Sequence, residues 1–244
     1  MPSTAISFGL EPVRVVATRE LVLEQIQTAI NLGRFLPGDR LPTERDLADM
    51  LHVSRTTVRE AIGVLQGRGV IEVRRGRTGG LIVREVLRTR ADLKKLVRAN
   101  RDQLRDTFDY RVAVESAAAA LAAERRTRGD LATLRGLVAL LSSIVEQEVE
   151  LTGASHVAQF LNADSQLHVA IAKSARSSRL AAAIVETRSA MFLPVGAVFT
   201  KLEPTANHLH EQVVDAIAMR DSNLAGQLMA EHINATRATI EKWL

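Results

Sequence analysis

The chain has 244 residues, 46% of them apolar but only 3% aromatic, so alanine, leucine, valine and isoleucine must fill its core, which favours packed helices over a β-sandwich. It has no cysteine, which excludes disulfides and thiolate metal sites, and no apolar run approaches the roughly 20 residues that span a bilayer, so a soluble cytoplasmic protein is expected. The net charge of +4 comes entirely from the first 90 residues, with 14 Lys and Arg against 10 Asp and Glu, while the remainder holds 18 of each sign.

Residues 1–14 lack periodicity and contain Pro2 and Pro12, which describes a flexible arm. From Thr18 the spacing of Leu21, Ile26, Ile30 and Leu32 predicts a helix ending at Gly33. Phe35 to Gly38 is a turn, punctuated by Pro37 and Gly38. Thr43 then precedes Glu44, Arg45 and Asp46, a helix N-cap followed by acidic residues in the first turn. This helix should run to about Leu51 and bury Leu47, Ala48 and Leu51. His52 and Val53 make a turn, and Ser54 caps a third helix that buries Val58, Ile62 and Leu65.

After Gly69 the spacing changes from helical to alternating. Val70–Val73 reads as a short strand and Leu81–Val83 as its partner, joined by a basic, glycine-rich tip containing Arg74, Arg75, Gly76 and Arg77. Three helices and a two-stranded wing make a winged helix-turn-helix over residues 15–85. The third helix opens with Ser54, Arg55, Thr56 and Thr57 and carries Arg59 one turn on. Unpaired N–H groups at a helix N-terminus attract phosphate. Hydroxyls and arginines placed there can hold the DNA backbone and reach base edges. A charged, glycine-rich loop is usually only solvated, but beside such a helix the wing arginines can clamp phosphates.

Residues 86–102 are charged, with leucines at 87, 93 and 96, and read as a linker and connecting helix. From 103 to 244 the pattern is all helical, with helices expected at 104–127, 130–151, 154–174, 177–200, 204–219 and 221–243. The fold class is mainly α, a winged helix-turn-helix followed by an all-α bundle with pockets between its helices.

Six histidines occur, and the spacing of three is informative. Asp164 and His168 are four apart on one helix and share a face. His210 and His232 lie on consecutive helices, and a hairpin turning near Asp221 sets them at similar height. One carboxylate and three imidazoles suit a divalent transition ion, Zn²⁺ before Ni²⁺ or Mn²⁺. On an octahedral ion two positions stay open for water or a chelating ligand. Each residue alone is as readily a hydrogen-bonded core group.

The run PGDRLPTERDLADMLHVSRTTVREAIGVLQGRGVIEVRRGRTGG, from Pro37 to Gly80, resembles the DNA-binding domain of the GntR family of bacterial transcription regulators. The resemblance implies operator contacts by Arg45, Ser54, Arg55, Thr56, Thr57 and Arg59, and by Arg75 and Gly76 in the wing. Residues 104–240 resemble the FCD ligand-binding domain of the FadR subfamily. Metal-binding members carry an Asp and a His four apart and two further His on the last helices, a pattern that Asp164, His168, His210 and His232 fill. His52, His156 and His208 fall outside it. The stretch from Asp109 to Glu115 resembles the first ligand-domain helix, in which Arg111 would lie near the effector. Ser177 stands where the subfamily usually has an asparagine.

The expected function is a transcription regulator, a repressor, acting as a homodimer on double-stranded operator DNA and controlled by a small carboxylate effector at the metal. Two other readings use the same residues. A metalloenzyme fused to a DNA-binding head could activate water at an Asp/His₃ ion, but no motif places a general base, and Glu211 beside His210 points to another side of its helix. In a pure metal sensor the ion itself would be the signal.

Overall fold

The computed structural model describes residues 17–32, 34–35, 37–76, 79–84, 95, 98–146, 154–198 and 207–242, with only the backbone for 154–158 and 190–198. The expected arm, most of the linker region, Arg77 of the wing and the side chain of His156 lie outside the described residues.

The N-terminal unit is built from α1 (Thr18–Asn31), α2 (Glu44–Leu51), α3 (Arg55–Gly67), β1 (Ile71–Arg74) and β2 (Gly80–Val83). Both caps read from the sequence are formed. The Thr43 side chain accepts from the Asp46 amide while the Asp46 carboxylate accepts from the Thr43 amide, a reciprocal capping box. Ser54 accepts from the Thr57 amide and starts α3. Val22, Ile26 and Ile30 of α1 meet Leu47, Val58, Ile62 and Leu65 in a single core closed by Ile71, Leu81 and Val83. Leu21, expected inside, is 47% exposed, and Val22 takes the inward position.

The wing strands pair antiparallel with Ile71 opposite Val83. A third segment, absent from the sequence reading, lies along the far edge of β2. Gly38 donates to the Val83 carbonyl, Val83 to Asp39 and Leu41 to Leu81, so the stretch after the Pro37 turn pairs with β2 in short register.

The C-terminal unit contains α4 (Arg101–Arg125), α5 (Arg128–Glu146), α6 (Ala154–Ser174), α7 (Ser178–Val198), α8 (His208–Met219) and α9 (Ser222–Glu241). Helix α4 lies at the centre, against α6, α7, α8 and α9. Its Ala118, Ala119, Ala122 and Ala123 are buried, and their small side chains let neighbouring helices approach. At the α4–α9 crossing a Cβ on Gly226 would stand 3.3 Å from the Ser116 carbonyl oxygen.

The helix breaks are capped from within the chain. Ser177 accepts from the Leu180 amide at the start of α7, and Asp221 accepts from Leu224 at the start of α9. Arg126 donates to the Ile217 and Ala218 carbonyls at the end of α8, and Arg220 to those of Ala123, Glu124 and Arg126 around the end of α4. These guanidiniums satisfy carbonyls that helix termini leave unpaired. The two units also touch: α1 of the winged helix lies against α7 of the bundle.

Candidate metal centre and DNA-reading face

Five bundle helices send polar side chains to one buried point. Arg111 and Glu115 come from α4, Asp164, Ser165 and His168 from α6, Arg188 from α7, His210 from α8 and His232 from α9, and all are buried. The turn between α8 and α9 has Arg220 in the left-handed conformation at φ 60°. Asp221 is eleven residues from His210 and eleven from His232, so the hairpin places both rings level. Their centroids are 4.2 Å apart, and that of His168 is 5.6 and 5.1 Å from them. One ligand-type atom from each of Asp164, His168, His210 and His232 lies within 4.8 Å of the others.

The protons in this cluster follow from its hydrogen bonds. Burial acts to raise the Glu115 pKa, but Arg111 and His168 outweigh it and hold the carboxyl well below its usual range. An ionised carboxylate only accepts. Glu115 therefore takes one bond from Arg111 Nε at 2.5 Å and one from His168 Nδ1. His210 Nδ1 lies 3.1 Å from Asn207 Oδ1. The Asn207 amide is fixed because its Nδ2 donates to Ser142 Oγ at 2.7 Å and to the Val138 carbonyl at 3.2 Å. Both rings thus place Nδ1 on an acceptor and turn Nε2 to the centre.

Those two Nε2 atoms are buried and have no hydrogen-bond partner. They approach Asp164 Oδ1 to 3.4 Å (His168) and 2.9 Å (His210), but without hydrogen-bond geometry. Two unpartnered imidazole nitrogens and a carboxylate oxygen thus converge on one point. Such a buried cluster is unfavourable by itself and is satisfied by a cation. Burial first, and then the neighbouring charged and imidazole groups, push His210 and His232 well below the ordinary histidine pKa. They are neutral near pH 7, as metal ligands must be. The donor set fits a divalent transition ion.

Arg111, expected near an effector, is enclosed in the core, tied to Glu115 and set over the Phe108 ring at 5.7 Å. Arg188 was not anticipated. Its Nη2 donates to Asp164 Oδ2 and, at 3.2 Å, to Ser165 Oγ. Burial, with help from Arg111 and against Glu115, brings its pKa down to about 9. An arginine on a helix usually faces solvent, and no motif marks this one. A signal existed, because Asp164 and Arg188 each lie twelve residues from Arg176, where the α6–α7 hairpin turns. The same mirror reasoning that pairs His210 with His232 pairs these two.

The winged-helix unit presents its candidate groups outward. Arg55 and Thr56 are exposed at the first turn of α3. The Ser54 and Thr57 hydroxyls lie 2.9 Å apart and serve the cap. Arg59 is held at Nε and Nη2 by Glu44 Oε2, at 3.1 and 3.0 Å, while 70% of its side chain stays in solvent. Arg45 stands exposed, 3.8 Å from Asp46. Arg75 and Gly76 are exposed at the wing tip, with Gly76 at φ 103°, a conformation that glycine adopts freely.

Comparison with known proteins agrees with both halves. Residues 18–79 match the family described as bacterial regulatory proteins, gntR family, and residues 106–235 match the FCD domain. The HTH-type transcriptional regulator RmpR of Mycobacterium gastri is 35% identical over 222 residues, covering 88% of this chain and 77% of that protein. The chain belongs to the GntR family. The Glc operon transcriptional activator of Escherichia coli is 25% identical over 227 residues, covering 91% of this chain and 88% of the relative. Among solved structures, E. coli McbR/YncC shares the fold with a TM-score of 0.57 at 22% identity, over 93% of this chain and 99% of that one.

This GntR-family protein with an FCD domain is a DNA-binding transcription regulator and not an enzyme. The water-activating reading of the Asp/His₃ cluster is thereby set aside. Its buried cluster could hold a metal ion. No described helix is long and apolar enough to cross a membrane.

Proposed function

We propose that the protein is a cytoplasmic repressor of the FadR subfamily whose operator affinity is set by a small organic acid bound beside a divalent transition ion, with Zn²⁺ preferred to Ni²⁺ or Mn²⁺. The observation that carries this reading is the pair of buried, unpartnered Nε2 atoms of His168 and His210 facing Asp164, with His232 alongside. Asp164, His168, His210 and His232 would hold the ion, which would supply Lewis acidity to a carboxylate. Glu115 and Asn207 orient two of the imidazoles, and Arg111 adds positive charge behind Glu115.

At the other end of the molecule, Arg45, Arg55, Arg59, Thr56 and the wing at Arg75 and Gly76 meet the operator, with Ser54 and Thr57 shaping the helix N-terminus that faces phosphate. A homodimer presents two such heads to the halves of a roughly palindromic site. Effector binding favours one arrangement of heads on bundle and so shifts operator affinity.

The test joins both ends. Purified protein should hold about one equivalent of metal per chain by elemental analysis, and His210→Ala/His232→Ala should hold none. Operator release by small carboxylates should be lost on metal stripping and restored by reconstitution. Equal metal in both proteins, or release that ignores the metal, would overturn the reading.

A further inference from the structure

The third helix carries two arginines one turn apart, and the fold treats them differently. Arg55, in the first turn, is exposed. Arg59 is tethered: its Nε and Nη2 both donate to Glu44 Oε2, at 3.1 and 3.0 Å, across 15 positions of sequence. Glu44 is the first residue of α2, whose opening turn is held by the Thr43–Asp46 capping box. Leu47 and Ala48 of α2 share a core with Val58 and Ile62 of α3. The carboxylate therefore stands on a fixed mount. It does not bury its partner, since 70% of the Arg59 side chain stays in solvent.

A guanidinium has two edges that can make paired bonds, Nε with Nη2 along its side and Nη1 with Nη2 across its end. Glu44 occupies the side edge. The end edge stays open, and the tether sets its plane. Two parallel donors match the O6 and N7 acceptors of guanine in the major groove, and they match two phosphate oxygens equally well. Charge decides between these. Attraction of an arginine to the DNA backbone comes from its positive charge and the counterions that are released. Beside Glu44 that charge is offset, and a phosphate drawn to Arg59 approaches a carboxylate of its own sign. A guanine edge carries no net charge and meets no such repulsion. The tether also removes rotamer freedom that a long exposed side chain would otherwise lose on binding.

We propose that Glu44 is a specificity-determining residue: it turns Arg59 from a phosphate clamp into a reader of one guanine in each operator half-site. This rests on the placement of Arg59 at the DNA face made above and deepens it. The competing role for Glu44 is a plain strut between α2 and α3. An exposed ion pair adds little to stability, and loss of a strut leaves sequence preference unchanged.

The experiment is selection of duplexes from a random-sequence pool by full-length wild type, Arg59→Ala and Glu44→Ala. Anisotropy titrations follow, on the wild-type consensus duplex and on a scrambled duplex of equal length. One guanine per half-site should relax in both variants, at the same position. On the scrambled duplex Glu44→Ala should bind more tightly than wild type, with a slope of log K against log salt steeper by about 0.9 for each bound head. Its ratio of consensus to scrambled affinity should fall at least about 10-fold, or about 1.4 kcal/mol. Glu44→Gln, which keeps the shape and drops the charge, should show the same gain on scrambled DNA and serves if the alanine variant fails to fold. If Arg59→Ala relaxes a guanine and the Glu44 variants keep the wild-type consensus and ratio, the proposal is overturned and the DNA-face reading stands. Relaxation at a base other than guanine also overturns it. If Arg59→Ala changes neither affinity nor preference, Arg59 leaves the DNA face and this proposal falls with it.

Discussion

In the winged-helix head, the arginines proposed to meet DNA stand in solvent. Arg45, Arg55, Arg59 and Arg75 are exposed, and the head core of Val22, Ile26, Val58, Ile62 and Leu65 closes without them. In the bundle the order is reversed. Arg111, Arg188, Glu115, Asp164 and three histidines are buried between the helices, where an all-apolar core would be easier to build. The head can lose a functional side chain and remain folded. The bundle spends stability to hold its site, because each buried charge needs a partner to offset its desolvation.

This contrast is open to attack at the bundle first. Glu115→Leu strips Arg111 and His168 of their shared acceptor and should lower the unfolding free energy by about 3–5 kcal/mol, the range for breaking a buried pair from one side. Denaturant unfolding of metal-stripped protein would show it. Arg111→Leu/Glu115→Leu should recover much of that loss. A single mutant as stable as wild type would mean the pair is not the structural burden described above.

Acid supplies the next largest effect. His210 and His232 have depressed pKa values in the folded chain, because of burial first and then nearby imidazoles and arginines. Above the ordinary histidine value of about 6.5 they are neutral in folded and unfolded states alike. As pH falls below that, the unfolded chain takes up protons that the folded chain resists, and stability is lost. Each histidine contributes at most about 1.4 kcal/mol per pH unit. Glu115, also depressed, keeps its contribution until the pH drops below its unfolded value near 4.5, where a second loss begins. Thermal unfolding of metal-stripped protein from pH 7.5 to 4 should show both phases, and His210→Gln should flatten the first.

The smallest effect on stability belongs to the head. Arg55→Ala should change unfolding by no more than about 0.5 kcal/mol, as exposed substitutions do, while operator affinity drops by about 1–3 kcal/mol, the range for a good base contact. Fluorescence anisotropy on operator DNA measures the second quantity. Undiminished affinity would remove Arg55 from the reading surface.

The head was almost fully legible because its instructions are local. Thr43 with Asp46, Ser54 with Thr57 and the glycines around Arg75 each act over a few residues. The exception is the strand-like pairing of Gly38 to Leu41 with β2, a contact across about 40 positions that propensity does not encode. In the bundle, helical periodicity gave the six helices to within about five residues. The histidines could be placed because a hairpin with a visible break at Asp221 sets their heights. Glu115, Asn207 and Arg188 were harder, since each is defined by partners on another helix: His168 for Glu115, Val138 and Ser142 for Asn207, and Asp164 for Arg188. Nothing in Glu-Thr-Arg-Ser, residues 186–189, distinguishes a buried arginine from a solvated one.

The contact between α1 and α7 has a mechanical consequence. The head is attached to the bundle by the chain, and it also rests on the helix that carries Arg188 into the core. A 21-residue helix is a stiff rod of about 30 Å, so its two engagements are not independent. Helix α7 thus carries a buried guanidinium of the core and meets the first helix of the head, a connection between the two units separate from the covalent one.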